Sequence, residues 1–125
     1  MYEVYVAAQF EAAHRLVGDF GSATRPHGHT YRMEVIVRSE HLKDDGTLYD
    51  IGRLRAAVED LAASLHYRDL NDVPGLAGVN TTAEAVARYC WDELALPLRG
   101  QGLASLMVRI WESPQVYAAR EDNLA

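Results

Sequence analysis

Apolar residues fall on every second position in two early stretches of the chain, Tyr2 to Phe10 and His29 to Ser39. Strand side chains alternate between faces, so each stretch reads as a strand with one apolar face. That face carries Tyr2, Val4, Val6, Ala8 and Phe10 in the first, and Tyr31, Met33, Val35 and Val37 in the second. The period then changes. Leu54, Val58, Leu61 and Leu65 recur at helical spacing behind Asp50, a good N-cap. Thr81-Thr82-Ala83-Glu84 reads as a capping box opening a second helix, which turns Val86, Cys90 and Leu94 inward and ends near Pro97 and Gly100. Strand patterning returns over Leu103–Glu112 and, after a Ser113-Pro114 turn, over Gln115–Arg120. The order strand-strand-helix-helix-strand-strand predicts an α+β fold, an antiparallel sheet with two helices on one face. Residues 1–120 are expected to form a single domain and residues 121–125 a loose tail. Four strands leave two open edges, which closing several copies into a barrel would cover.

Composition narrows the function. A chain of 125 residues, 49% hydrophobic, can bury a core. No apolar run approaches the roughly 20 residues of a membrane span. Met1-Tyr2-Glu3-Val4 lacks the basic and apolar blocks of a signal peptide. A soluble cytoplasmic protein with no membrane partner is the expectation. One cysteine, Cys90, excludes an intrachain disulfide and a cysteine-based zinc site. A net charge of -6 without a basic stripe argues against nucleic acid as a partner.

His27-Gly28-His29 leads straight into the second strand. Residues two apart on a strand share a face, so both imidazoles fall on the apolar side with Tyr31 and Met33. Gly28 allows backbone or ligand to approach closely. If the first two strands form a hairpin, His14, just past the end of the first, comes beside the pair. Three neutral imidazoles with an open fourth position are a catalytic zinc arrangement. A His-x-His pair also arises by chance, so spacing alone leaves this open. His41 lies in a polar, turn-like stretch. His66 ends a helix, where an imidazolium suits the dipole.

These residues resemble the 6-pyruvoyl-tetrahydropterin synthase and 6-carboxytetrahydropterin synthase family, over nearly the whole chain. The likeness rests on Phe10-Glu11-Ala12-Ala13-His14-Arg15-Leu16, His27-Gly28-His29-Thr30-Tyr31, Tyr49-Asp50-Ile51, Arg68-Asp69-Leu70-Asn71-Asp72, Asn80-Thr81-Thr82-Ala83-Glu84 and Glu112-Ser113, in that order. The resemblance implies the tunnelling fold, with domains assembled into barrels, commonly as a hexamer of two stacked trimers with active sites between subunits. It implies zinc on His14, His27 and His29, and a pterin substrate, typically dihydroneopterin triphosphate. It makes Glu112 the pterin anchor and brings Thr81 and Thr82 to the pterin. Glu112 shares parity with Leu106, Val108 and Ile110, and a carboxylate can accept two parallel hydrogen bonds from a guanidine-like ring edge.

Two departures bear on chemistry. Where the family carries its catalytic cysteine, four residues before His-Gly-His, this chain has Ala23. Where the family has an Asp-His pair, it has His66 and Tyr67. Metal ligands and pterin anchor therefore stay while the usual proton shuttle is altered. Three readings stand. His66 or Tyr67 serves as replacement acid or base; the chain catalyses another zinc-assisted lyase step, such as aldolase-type cleavage of the pterin side chain; or it is a zinc-containing pterin-binding protein. Arg15 and Arg25 flank the zinc motifs, either as triphosphate clamps or as solvated loop residues.

Overall fold

In the computed structural model, which describes residues 1–125, the alternation that begins at Tyr2 runs past Phe10 to His14, making strand β1 (Tyr2–His14). The second strand, β2 (His27–Ser39), likewise begins two residues before its expected start. The reason is mutual: the two pair antiparallel in an unbroken register from Tyr2 opposite Ser39 to His14 opposite His27. His14 is therefore a strand residue rather than one beyond it. Residues 15–26 make the connection, with one short 3₁₀ turn at Gly21–Thr24.

Helix α1 (Ile51–Leu65) is capped by the Asp50 carboxylate, which accepts from the amides of Gly52 and Arg53. Leu54, Val58, Ala62 and Leu65 are its buried stripe, with Leu61 at the margin. Helix α2 (Ala83–Leu98) starts one residue later than the expected capping box. Thr82 is the cap, its hydroxyl accepting from the Ala85 amide at 3.1 Å. Glu84 then lies in the first turn, where its charge suits the dipole, and it does not close a reciprocal box. The shift frees Thr81 from capping and buries its side chain elsewhere.

The sheet has five strands, not four. Between the helices, Arg68–Asp69 (β3) runs parallel to β1 beside Ala12 and Ala13. With β4 (Ser105–Ser113) and β5 (Val116–Asn123), the order is β3-β1-β2-β4-β5. All other neighbouring pairs are antiparallel. β5 does not stop at Arg120: Glu121, Asp122 and Asn123 pair with Met107, Leu106 and Ser105, and Leu124 is buried. The expected loose tail is thus mostly strand, held because its backbone completes the β4 ladder and Leu124 reaches the core.

Both helices cover one face. Phe10, Tyr31, Met33, Val35, Leu106, Val108 and Ile110 meet Leu54, Val58, Val86, Cys90 and Leu94 there in one core. The other face is polar and aromatic: Glu34 accepts from Tyr5 and Trp111 and pairs with Arg32. No helix is long and apolar enough to cross a membrane.

Candidate metal and ligand site

Because β1 and β2 place His14 opposite His27, and His29 two residues further along the same face, three imidazoles converge at the end of the sheet. One ring nitrogen from each lies within 4.8 Å of the others. The Nε2 atoms of His14 and His29 are 3.2 Å apart. Two nitrogens on a tetrahedral zinc, each about 2.05 Å from the ion, would be about 3.3 Å apart.

The outer nitrogens are tied. His14 Nδ1 is 2.8 Å from the Thr81 carbonyl oxygen, and His27 Nδ1 is 2.7 Å from that of Arg25. A carbonyl only accepts, so each Nδ1 carries the proton and each Nε2 keeps its lone pair for the cluster. His14 is buried, and burial lowers its pKa despite the opposing pull of the Thr81 bond. It is held in the neutral form that binds metal. The donor set of the three residues fits a zinc ion.

Glu112 approaches this cluster from β4, its Oε2 3.9 Å from His29 Nε2. It is not one of the mutually close ligand group. Its carboxylate lines a cavity of about 440 Å³ with Thr82, Ala83 and Glu84 from the start of α2, Leu16 and Phe20 from the 15–26 connection, and Val116, Tyr117 and Ala118 from β5. Thr81 and Thr82 separate in role: Thr82 caps α2 at this cavity, whereas the Thr81 hydroxyl lies 3.3 Å from His14 Nδ1.

His66 and Tyr67 lie elsewhere. His66 Nδ1 accepts from the Glu11 amide at 3.0 Å, and the Tyr67 amide donates to the Glu11 carbonyl. Through this bond the ring at the end of α1 holds the chain to the edge of β1. Tyr67 has φ 58, its ring stacks on His66 at 3.9 Å, and the residue is 79% exposed. No hydrogen bond or ring contact joins either residue to the three histidines or Glu112. Tyr67 does line an edge cavity of about 560 Å³ that also reaches Gly28 and His29.

Ala23 is half-buried in the 15–26 connection, and its carbonyl accepts from Leu16. Cys90 is fully buried in the core, where burial pushes its thiol pKa up, so no thiolate stands in for a cysteine at position 23. Arg15 and Arg25 are exposed and make no ion pair. His41 is exposed, and Asp69 makes the local turn bond to the Asn71 amide.

Two residues carry structure that their local pattern does not announce. The Asn71 side chain accepts from the Arg15 amide at 3.0 Å and donates to the Arg15 carbonyl at 3.2 Å. Asn80 does the same for Val17, at 2.9 and 3.0 Å. Two side-chain amides thus act as a surrogate strand beside the chain leaving His14. The only signal in the sequence was their place in the family-like segments.

The family model for 6-pyruvoyl tetrahydropterin synthase matches residues 3–123. The chain belongs to this family. Relatives within the 6-pyruvoyl tetrahydropterin synthase family include a 6-carboxy-5,6,7,8-tetrahydropterin synthase from Synechocystis, 35% identical over 75% of each chain. A 6-pyruvoyl tetrahydrobiopterin synthase from Dictyostelium discoideum is 32% identical over 68% of this chain and 72% of that protein. The solved structure of the Caenorhabditis elegans 6-pyruvoyl tetrahydropterin synthase superposes with a TM-score of 0.83 at 25% identity, covering 98% of this chain and 96% of that one. A Plasmodium vivax 6-pyruvoyltetrahydropterin synthase at 19% identity shares the fold, with a TM-score of 0.83 and 98% of each chain covered. This member thus has the family's α+β fold and a cluster of three histidines able to hold a metal.

Proposed function

We propose that this protein is a zinc-dependent lyase acting on a dihydropterin with a hydroxylated side chain, such as dihydroneopterin triphosphate. The observation that carries the reading is the convergence of the His14, His27 and His29 nitrogens within 4.8 Å, with Glu112 beside them. His14, His27 and His29 would hold the zinc, which supplies Lewis acidity toward an oxygen of the pterin side chain. Glu112 accepts hydrogen bonds from the N–H edge of the pterin ring and so sets its orientation. Thr82, at the same cavity, adds a polar contact, and Thr81 holds the His14 ring in the tautomer that leaves Nε2 free.

The proton-transfer groups in this reading are His66 and Tyr67. Their place on the exposed β1–β3 edge supports their acting on the site of a neighbouring subunit. An assembly of two stacked trimers would bring that edge to another copy. Arg15 and Arg25, free of acidic partners, would hold the triphosphate there. A cytoplasmic setting belongs to the same proposal.

Ala23 favours a second reading. Without the cysteine, the chain would cleave the side chain as an aldolase, or bind a pterin without the synthase reaction.

The deciding experiment loads the protein with zinc, adds dihydroneopterin triphosphate, and follows pterin mass and released triphosphate together. Triphosphate with a new pterin supports the lyase. Unchanged substrate overturns it, and unphosphorylated dihydroneopterin then separates aldolase from binder.

A further inference from the structure

The connection that follows His14 has only the short 3₁₀ turn Gly21–Thr24 and no strand of its own, yet it is held firmly. Asn71 and Asn80 clamp the backbone of Arg15 and Val17, and the Leu16 amide closes the loop onto the Ala23 carbonyl at 2.9 Å. Gly18 has φ 122, and a Cβ there would come within 3.0 Å of the Phe20 ring. The backbone thus gives way to let that ring lie against it. What this arrangement holds up is Phe20, a residue 47% exposed to solvent and outside the hydrophobic core.

Phe20 lines the cavity that contains Glu112. Leu16 joins it from the connection, Val116 and Ala118 contribute from β5, and Thr82 stands at the α2 N-terminus. Val116, like Phe20, is largely exposed. A cavity of about 440 Å³ with Tyr117 and apolar side chains in its walls, and the two carboxylates of Glu84 and Glu112 among them, suits a flat ring whose faces are apolar and whose edge bears N–H donors. An apolar aliphatic ligand would leave Glu112 without donors.

We propose that Phe20 is a ligand-contacting, specificity-determining residue that packs its ring on the face of the planar heterocycle held by Glu112. The inference rests on the pterin reading above and adds a residue to it. Phe20 discriminates for flat aromatic rings, while Glu112 reads their edge. Because Phe20 sits on a clamped loop, little motion is frozen when a ligand packs on it.

Neopterin, a fluorescent pterin, serves as the probe for zinc-loaded wild type, Phe20→Ala, Phe20→Leu, Phe20→Trp and Glu112→Gln. The expected result is a Kd raised at least tenfold by Phe20→Ala. Phe20→Leu, which keeps apolar bulk without a π face, weakens binding nearly as much. Phe20→Trp binds within threefold of wild type, and zinc content is the same in all four forms at position 20. Phe20→Leu also guards against loop collapse in the alanine form. Wild-type binding lost in Glu112→Gln but unchanged in Phe20→Ala and Phe20→Leu would overturn the role of Phe20 and leave the pterin reading standing. Wild type that binds no neopterin would overturn both.

Discussion

The Thr81 carbonyl oxygen lies 2.8 Å from His14 Nδ1, joining the N-terminal approach of α2 to the last residue of β1 across 67 positions of sequence. This bond fixes which nitrogen of His14 faces His27 and His29. It also explains why the α2 cap falls on Thr82: Thr81 is engaged with the end of β1.

Metal content tests the cluster directly. His27→Ala removes one of three ligands, and zinc affinity is expected to fall by more than about 100-fold, since even outer partners are worth 10–100-fold. Elemental analysis after dialysis reads this. Unchanged zinc in His27→Ala would sink the three-histidine site.

Acid should loosen the fold through His14. Burial lowers the pKa of His14, so below the ordinary imidazole value of about 6.5 the unfolded chain binds more protons than the folded one. The contribution to stability is complete above that pH and is lost as pH falls through the lowered folded value. Chelator-treated wild type is expected to lose thermal stability between pH 7 and 5 more steeply than His14→Asn. Parallel curves for the two would remove His14 as the cause.

Proton transfer should separate from binding. His66→Ala and Tyr67→Phe, made singly, are expected to keep zinc and pterin binding while the one replacing the acid or base loses about 10²–10⁴ in turnover. Because both residues sit on a sheet edge, mixing either variant with a His27→Ala protein should form hybrid oligomers with partly restored activity. Failure of every mixture to recover activity would count against a site shared between subunits.

Ala23 offers a gain-of-function test. Placing a thiol at the position where the family carries its cysteine, Ala23→Cys is expected to speed triphosphate release from dihydroneopterin triphosphate by on the order of 10²-fold. No gain, with zinc retained, would show that the surrounding loop no longer supports a cysteine base.

The two asparagine clamps should be separable from the core. Asn80→Ala removes two backbone hydrogen bonds at a partly solvated site, so a loss of about 1–2 kcal/mol is expected. Amide exchange should quicken across residues 16–24 and stay slow in β2. Uniform quickening across the sheet would mean the clamp serves global stability instead.

Much of this protein was legible in its sequence, because the relevant signals are periodic or local. Alternation from Tyr2 and from His29 marks β1 and β2, Leu54 to Leu65 marks α1, and Asp50 announces its own cap. His27-Gly28-His29 on a strand declares two imidazoles on one face, since a period of two leaves no other choice. A hairpin of the two strands brings His14 beside that pair, and the family-like segments singled out Glu112. Tertiary structure decided the rest, because pairing partners far apart in sequence leave no local trace. The extension of β1 to His14 depends on its register with β2, and β3 exists only because Arg68 and Asp69 find the free edge of β1. The strand through Asn123 depends on β4. The Asn71 and Asn80 amides reach back 56 and 63 residues, and Phe20 meets the Glu112 cavity only once they hold its loop there.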